Sequence, residues 1–323
     1  MLNVLLVTFP FFALVLAGYL AARRGMLRLD AIPGLNSFVL YFALPCLLYR
    51  FGSTTPLGQL LSPGVFFIYL LCALVLVGFV VAVSMNRRIG WNDAAFGALV
   101  AAFPNTGFMG VPLLVALLGA AAAGPAIVTI MVDMLVTSSL CVALSRLDGA
   151  DQHGFAKAAR SALRGVLVNP MPWAILLGAL ASAVRLELPG PVGRTIGLLA
   201  DAASPVALFT IGAVLARSQM LVAEGTPPMP LRDFVPVAVI KLVLHPLLVL
   251  LVGVGAIQLG VALDRYALTV IVLVAALPSA SNVSLLAERF GANTGRIARI
   301  ILVSTAAAFL TFSAAVALLV DQR

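Results

Sequence analysis

The sequence predicts an all-α integral membrane protein, with ten transmembrane helices arranged as two inverted five-helix repeats and broken crossover helices at spans 4 and 9. Three observations predict it. Of the 323 residues, 62% are hydrophobic and only 10% charged, whereas a soluble domain carries about a quarter charged residues. Apolar runs of about 20 residues, the length a helix needs to cross a roughly 30 Å hydrocarbon core, recur from one end of the chain to the other. Two of those runs, at corresponding positions in the two halves, carry the same kind of interruption by proline, asparagine and serine.

Apolar runs, charged boundaries and Pro/Gly punctuation place the spans at 3–22, 31–51, 63–85, 91–119, 125–146, 169–188, 192–216, 232–261, 265–289 and 294–320. The runs are continuous and rich in Leu, Ala and Val, not alternating, which selects helices over a β-barrel. The first span lacks a basic segment before it and is followed by Arg23 and Arg24, so it reads as an uncleaved helix and not a signal peptide. Cys46, Cys72 and Cys141 fall inside spans with no CxxC pair and no zinc spacing; they read as packing residues, and no metal or cofactor is expected.

The flanking charges orient the chain. Arg50, Arg185, Arg194, Arg265 and Arg323 fall on one side and Lys241 lies within a span, while the other fourteen of the twenty Lys and Arg gather on the opposite side. That bias places the connections after odd-numbered spans in the cytoplasm and both termini outside. The net charge of +8 sits in short segments between spans without interleaved aromatics, which argues for lipid head groups as partner and against nucleic acid. The chain divides into a first repeat at 1–146, a cytoplasmic connection at 147–168 and a second repeat at 169–323. In the connection Lys157, Arg160 and Arg164 are spaced as on one helix face; it is either an interfacial amphipathic helix or a basic linker.

An odd number of spans per half inserts the second half upside down relative to the first. Pro45 in span 2 then matches Pro205 in span 7, and Pro104 in span 4 matches Pro278 in span 9. A proline inside a helix removes an N–H and displaces the carbonyl one turn earlier, and lipid offers the freed groups no partner. Pro104, Asn105, Thr106 and Gly107, and Pro278, Ser279, Ser281 and Asn282, therefore form the candidate binding site. Each break would expose the start of a half-helix, where unpaired N–H groups favour an anion such as a carboxylate. Asn105 and Asn282 would hold it by neutral hydrogen bonds. The alternative is a pair of proline kinks with small polar residues packed between helices.

At these residues the chain resembles the auxin efflux carrier family, whose bacterial members include proteins assigned as malonate or similar carboxylate permeases. The signatures are FPNTGFMGVPL at 103–113, LPSASN at 277–282 followed by LAERFG at 286–291, LAGYLAARRGML at 16–27 and SPVALFTIGAVL at 204–215. The resemblance implies a crossover fold like that of the sodium–bile-acid symporters, an elevator-like motion, a homodimer, and a substrate carboxylate held at Pro104, Asn105, Pro278 and Asn282. The expected activity is secondary transport of a small organic anion, malonate-like, across a bacterial inner membrane. A sodium-coupled symporter of the bile-acid type and an uncoupled anion exporter are the alternatives. The chain lacks the long cytoplasmic loop of the plant exporters, so hormone transport does not carry over.

Ionisable groups within spans are costly and mark function by default. Lys241 lies inside VPVAVIKLVLHPLLVLLVG with His245 one turn on, and Asp133 and Asp201 are its acidic counterparts. Lys241, which Asp133 could pair, either supplies the positive charge of a coupling cation, or forms a structural pair, or snorkels to an interface, and His245 is either a proton relay or a packing residue. No HExxH, GxSxG or GxGD motif supports an enzyme, and no filter-like repeat or charge ring supports a channel.

Overall fold

The computed structural model describes residues 2–54, 62–146, 170–222 and 229–320. The expected connection at 147–168 lies outside them. The described residues form helices α1 (Leu2–Arg23), α2 (Ile32–Thr54), α3 (Pro63–Ser84), α4 (Trp91–Ala102), α5 (Thr106–Leu118), α6 (Ala120–Leu144), α7 (Pro170–Ala183), α8 (Gly190–Val222), α9 (Val235–Gln258), α10 (Arg265–Ala276), α11 (Val283–Arg289) and α12 (Thr294–Val320).

Seven of these, α1, α2, α3, α6, α8, α9 and α12, contain a stretch long and apolar enough to cross a membrane. The other three expected spans appear in shorter pieces. The run at 91–119 divides into α4 and α5, the run at 265–289 into α10 and α11, and the run at 169–188 yields the 14-residue α7. A 12-residue helix such as α4 or α10 is about 18 Å long, little more than half of a roughly 30 Å core.

Proline shapes the helices it does not break. Wider π turns at Val39–Ala43, Thr106–Gly110 and Ile240–Leu244 each end two residues before a proline, Pro45, Pro112 and Pro246. Each proline has no N–H for the carbonyl one turn back, and the extra residue of a π turn shifts the hydrogen-bond register around it. Asp264 caps α10 by accepting from Ala267 N–H at 2.6 Å. Gly119 (φ 88°) and Gly260 (φ 84°) end α5 and α9 with positive φ angles, which glycine adopts without a Cβ clash.

The helices pack as two groups. α1 lies along α8, and α2 along α7 and α8, while α3, α4, α6, α9, α10 and α12 pack chiefly on one another. Glycines set the spacing in the first group. A Cβ on Gly212 would run into the backbone carbonyl of Val15, and one on Gly18 into that of Phe209, so α1 and α8 meet backbone to backbone. Gly52 and Gly178 do the same between α2 and α7; a Cβ on Gly52 would sit 2.8 Å from Ile175 O. In the second group, Arg296 at the start of α12 is buried and donates from Nε to Asp233 O and from Nη1 to Asp93 O, both at 2.7 Å. Asn293 N–H donates to Asp93 Oδ1 at 2.7 Å. Gly97 makes room, since a Cβ there would lie 2.7 Å from Nη1. This clamp joins the starts of α4, α9 and α12.

Burial runs outside in. Leu71, Leu177, Leu251 and Leu310 are exposed, while Thr106, Asp133, Lys241 and His245 are wholly buried. A lipid solvent selects that pattern. Ala94–Ala102 of α4 are buried without exception, so the helix leading into the first break is among the most enclosed parts of the molecule.

Replacing Gly212 or Gly178 by Leu is expected to lower the thermal unfolding midpoint in detergent, with a cost of about 1–3 kcal/mol or more. Gly255→Ala, whose added Cβ meets nothing within 4 Å, should leave the midpoint unchanged or higher. Equal midpoints for Gly212→Leu and the unmodified protein would show that the α1–α8 contact is not close.

Candidate functional site at the helix crossing

α4 stops at Ala102 because Pro104 cannot continue the ladder and pushes Phe103 into an extended conformation (φ −101°, ψ 98°). α10 stops at Ala276 for the same reason, with Leu277 extended before Pro278 (φ −63°, ψ 156°). The two extended segments lie antiparallel, with Pro104 opposite Ser279. Asn105 N–H donates to Pro278 O at 2.8 Å and Ala280 N–H to Phe103 O at 2.9 Å. Each break thus satisfies the other with one donor and one acceptor.

Beyond the crossing, Thr106 N–H donates to Pro104 O at 2.8 Å, and Met109 and Gly110 N–H both donate to Asn105 O at 3.1 and 3.0 Å. The amides of Gly107 and Phe108 are left without a backbone acceptor among the described residues, as first-turn amides are. A Cβ on Gly110 would sit 2.5 Å from Leu277 Cδ1, so glycine lets the second break pass close to α5. Ser279 N–H donates to Ser304 Oγ of α12 at 3.3 Å. Three buried side-chain atoms here have no hydrogen-bond partner among the described residues: Thr106 Oγ1, Ser279 Oγ and Asn282 Oδ1.

Five of the eight residues expected at the site, Pro104, Asn105, Thr106, Gly107 and Asn282, line one narrow cavity with about 20 Å³ of room for the centre of a water molecule. Pro278 and Ser279 are in the bridge but do not line the cavity, and Ser281 does not either; its carbonyl instead accepts from Ser284 Oγ at 2.7 Å. The rest of the lining is largely apolar and includes Leu44 and Leu48 of α2, Ile130 and Met134 of α6, and Met171 at the start of α7. Among the described residues, no charged side chain lines the cavity. The two breaks are also unequal. α5 runs for more than three turns from Thr106, but α11 has only seven residues, so a helix-start anion site can form at the first break alone.

The membrane charges sit behind the crossing. Lys241 Nζ donates to Ala275 O at 2.7 Å and lies 3.1 Å from His245 Nδ1. In an unbroken helix Ala275 O would accept from Ser279 N–H, which the break has diverted to Ser304. The ammonium therefore takes a carbonyl that the break released, at the negative end of α10. Asp133 accepts from Tyr69 OH and from Thr137 Oγ1, each at 3.3 Å, and the Tyr69 ring lies 5.9 Å from that of His245. Lys241 and Asp133 interact electrostatically, but their hydrogen bonds go to these other groups and not to each other. Asp201 does not join the cluster. Its exposed carboxylate is bound by Arg50 at 2.6 Å.

Tyr69, Ser304 and the apolar wall escape a reading of the sequence. Leu44, Met134 and Met171 look like lipid-facing residues until the fold brings them opposite the crossing, although Pro45 beside Leu44 marks that stretch of α2. The seven long apolar helices establish an integral membrane protein. The sequence profile of the family described as membrane transport protein matches residues 4–316. A "putative malonate transporter" of Rhizobium meliloti is 31% identical over 297 residues, covering 92% of this chain and 89% of that one. The uncharacterized transporter YfdV of Escherichia coli K12 is 29% identical over 88% of both chains. Auxin efflux carrier component 8 of Arabidopsis thaliana is 22% identical over 69% of this chain and 75% of its own length. A profile match over nearly the whole length, on a chain of buried broken helices in an apolar shell, means that this protein belongs to the membrane transport protein family, that of the auxin efflux carriers.

Proposed function

We propose that this protein is a secondary carrier that moves a small organic anion, malonate or a related carboxylate, across a bacterial inner membrane by an elevator-like displacement of the helix crossing. The observation that carries the proposal is the set of unpartnered donors at the crossing: the amides of Gly107 and Phe108 and the hydroxyl of Thr106, beside Asn105 and Asn282. Such groups bind a carboxylate by hydrogen bonds and the field of α5 without a fixed counter-ion, which permits release as well as capture. The naming of the Rhizobium meliloti relative agrees with this chemistry.

In this reading the chain has ten spans in two inverted repeats, 1–146 and 169–323, with the broken pairs α4/α5 and α10/α11 and the shorter α7 each completing a span. The glycine contacts support the symmetry. α1 meets α8 through Gly18 and Gly212, and α7 meets α2 through Gly178 and Gly52, which is the same contact carried from one half into the other. The tight group of α1, α2, α7 and α8 would serve as the fixed frame, paired in a homodimer as the family resemblance implies, with both termini outside as the charge bias requires. The other group would carry the crossing. With about 20 Å³ of free room, the cavity must widen to admit a carboxylate, and a shift of the crossing against Leu44, Leu48 and Met171 would provide that. Lys241 would fill the role of a coupling cation, so transport would be independent of sodium.

Two outcomes are expected. In proteoliposomes, saturable uptake of radiolabelled malonate should fall by about tenfold or more in Asn105→Ala and in Thr106→Val, while Thr106→Val unfolds at the same temperature as the unmodified protein because its hydroxyl has no partner to lose. Uptake indifferent to both substitutions would remove the crossing from the transport path. Lys241→Met should destabilise the protein by about 3–5 kcal/mol by stranding the Asp133 charge. Lys241→Met combined with Asp133→Leu should cost less than the sum of the two single losses, although the Ala275 carbonyl stays without its donor; two additive losses would mean the charges are independent.

A further inference from the structure

We infer that the crossing takes an anion carrying a single negative charge and an uncharged body, so that a dicarboxylate is carried with one proton on it and its dianion is excluded. This inference rests on the proposed carrier function and names the charge state of its substrate. It follows from the two unlike sets of residues that line the cavity. One set is polar: Asn105, Thr106 and Asn282, with Gly107 and Phe108, whose amides have no backbone acceptor among the described residues. All are neutral, and the one helix start behind them, that of α5, contributes about half a positive charge. That is enough to hold one carboxylate.

The other set offers a second carboxylate nothing. Leu44, Leu48, Ile130, Met134 and Met171 present hydrocarbon and thioether sulfur only, and a carboxylate shed of water against such a surface is strongly disfavoured, whereas a protonated carboxyl is not. Two basic side chains on helices packed about the crossing are already committed. Lys241 of α9 is engaged by Ala275 O and His245, and Arg50, two residues past Leu48 on α2, is held by Asp201. Among the described residues, the titratable groups packed behind the crossing include Asp133, Tyr69, Lys241, His245, Cys72 and Cys141, and none of them lines the cavity.

The test compares malonate with monomethyl malonate, which keeps one carboxylate and cannot gain a second charge. Initial uptake of each labelled compound is measured in proteoliposomes between about pH 5 and pH 8, a range over which the second carboxyl of malonate loses its proton. The ratio of the two rates cancels any titration of the protein's own groups. Malonate uptake relative to the ester should fall by more than about tenfold across that range. Met171→Lys, which places a cation in the apolar wall, should restore malonate uptake at the alkaline end. A ratio that stays constant, or rises with pH, overturns the single-charge inference while leaving the carrier in place. Uptake of neither compound overturns the carrier reading and this inference with it.

Discussion

Backbone amides and carbonyls released inside a bilayer cost several kcal/mol each unless something takes them, and in this protein two broken helices release them at the same place. Each break takes up the other's groups. Asn105 N–H finds Pro278 O, and Ala280 N–H finds Phe103 O. Much of the surrounding structure serves that exchange. Ser304 receives the Ser279 amide, Lys241 receives the Ala275 carbonyl, and Gly110 lets Leu277 come close enough for the extended segments to meet. What the exchange leaves over, the amides of Gly107 and Phe108 and the hydroxyl of Thr106, is what a ligand can use.

The difference between the two helix groups follows from the same constraint. The backbone-to-backbone contacts of α1 with α8 and of α2 with α7 rest on glycine and need no polar side chains, and α2 and α7 are free to present smooth hydrocarbon to the cavity. The other group holds most of the buried polar side chains and is tied internally by the Arg296 clamp and by the Tyr69, Asp133, His245 and Lys241 cluster. In the proposed motion, sliding contacts fall between an apolar wall and a polar crossing, where few hydrogen bonds oppose them.

The helical membrane class and the position of both breaks were legible in the sequence, because proline followed by asparagine or serine inside runs of Leu, Ala and Val interrupts a ladder that lipid would otherwise keep whole. Lys241 was legible as a charge in a span. Its partner was not, since a backbone carbonyl such as that of Ala275 has no signature of its own and becomes available only once the break diverts Ser279. A half-helix follows each break, but their lengths could not be read from the sequence: Gly291, in the left-handed conformation, follows an α11 of only seven residues. Asp201 looked like a partner for Lys241 by residue type, but α8 turns it outward to Arg50. Leu44, Met134 and Met171 were illegible because apolar residues facing lipid and apolar residues facing a ligand obey the same composition.

The Arg296 clamp also bears on how the chain is assembled. The guanidinium arrives with α12, and the carbonyls it needs belong to Asp233, 63 residues earlier, and Asp93, 203 residues earlier. Until α12 enters, the starts of α4 and α9 lack this common tie; once it does, a single side chain fastens both. Entry of α12 is thereby the event that fastens these helix starts together, so a chain without it holds its crossing more loosely than one with it.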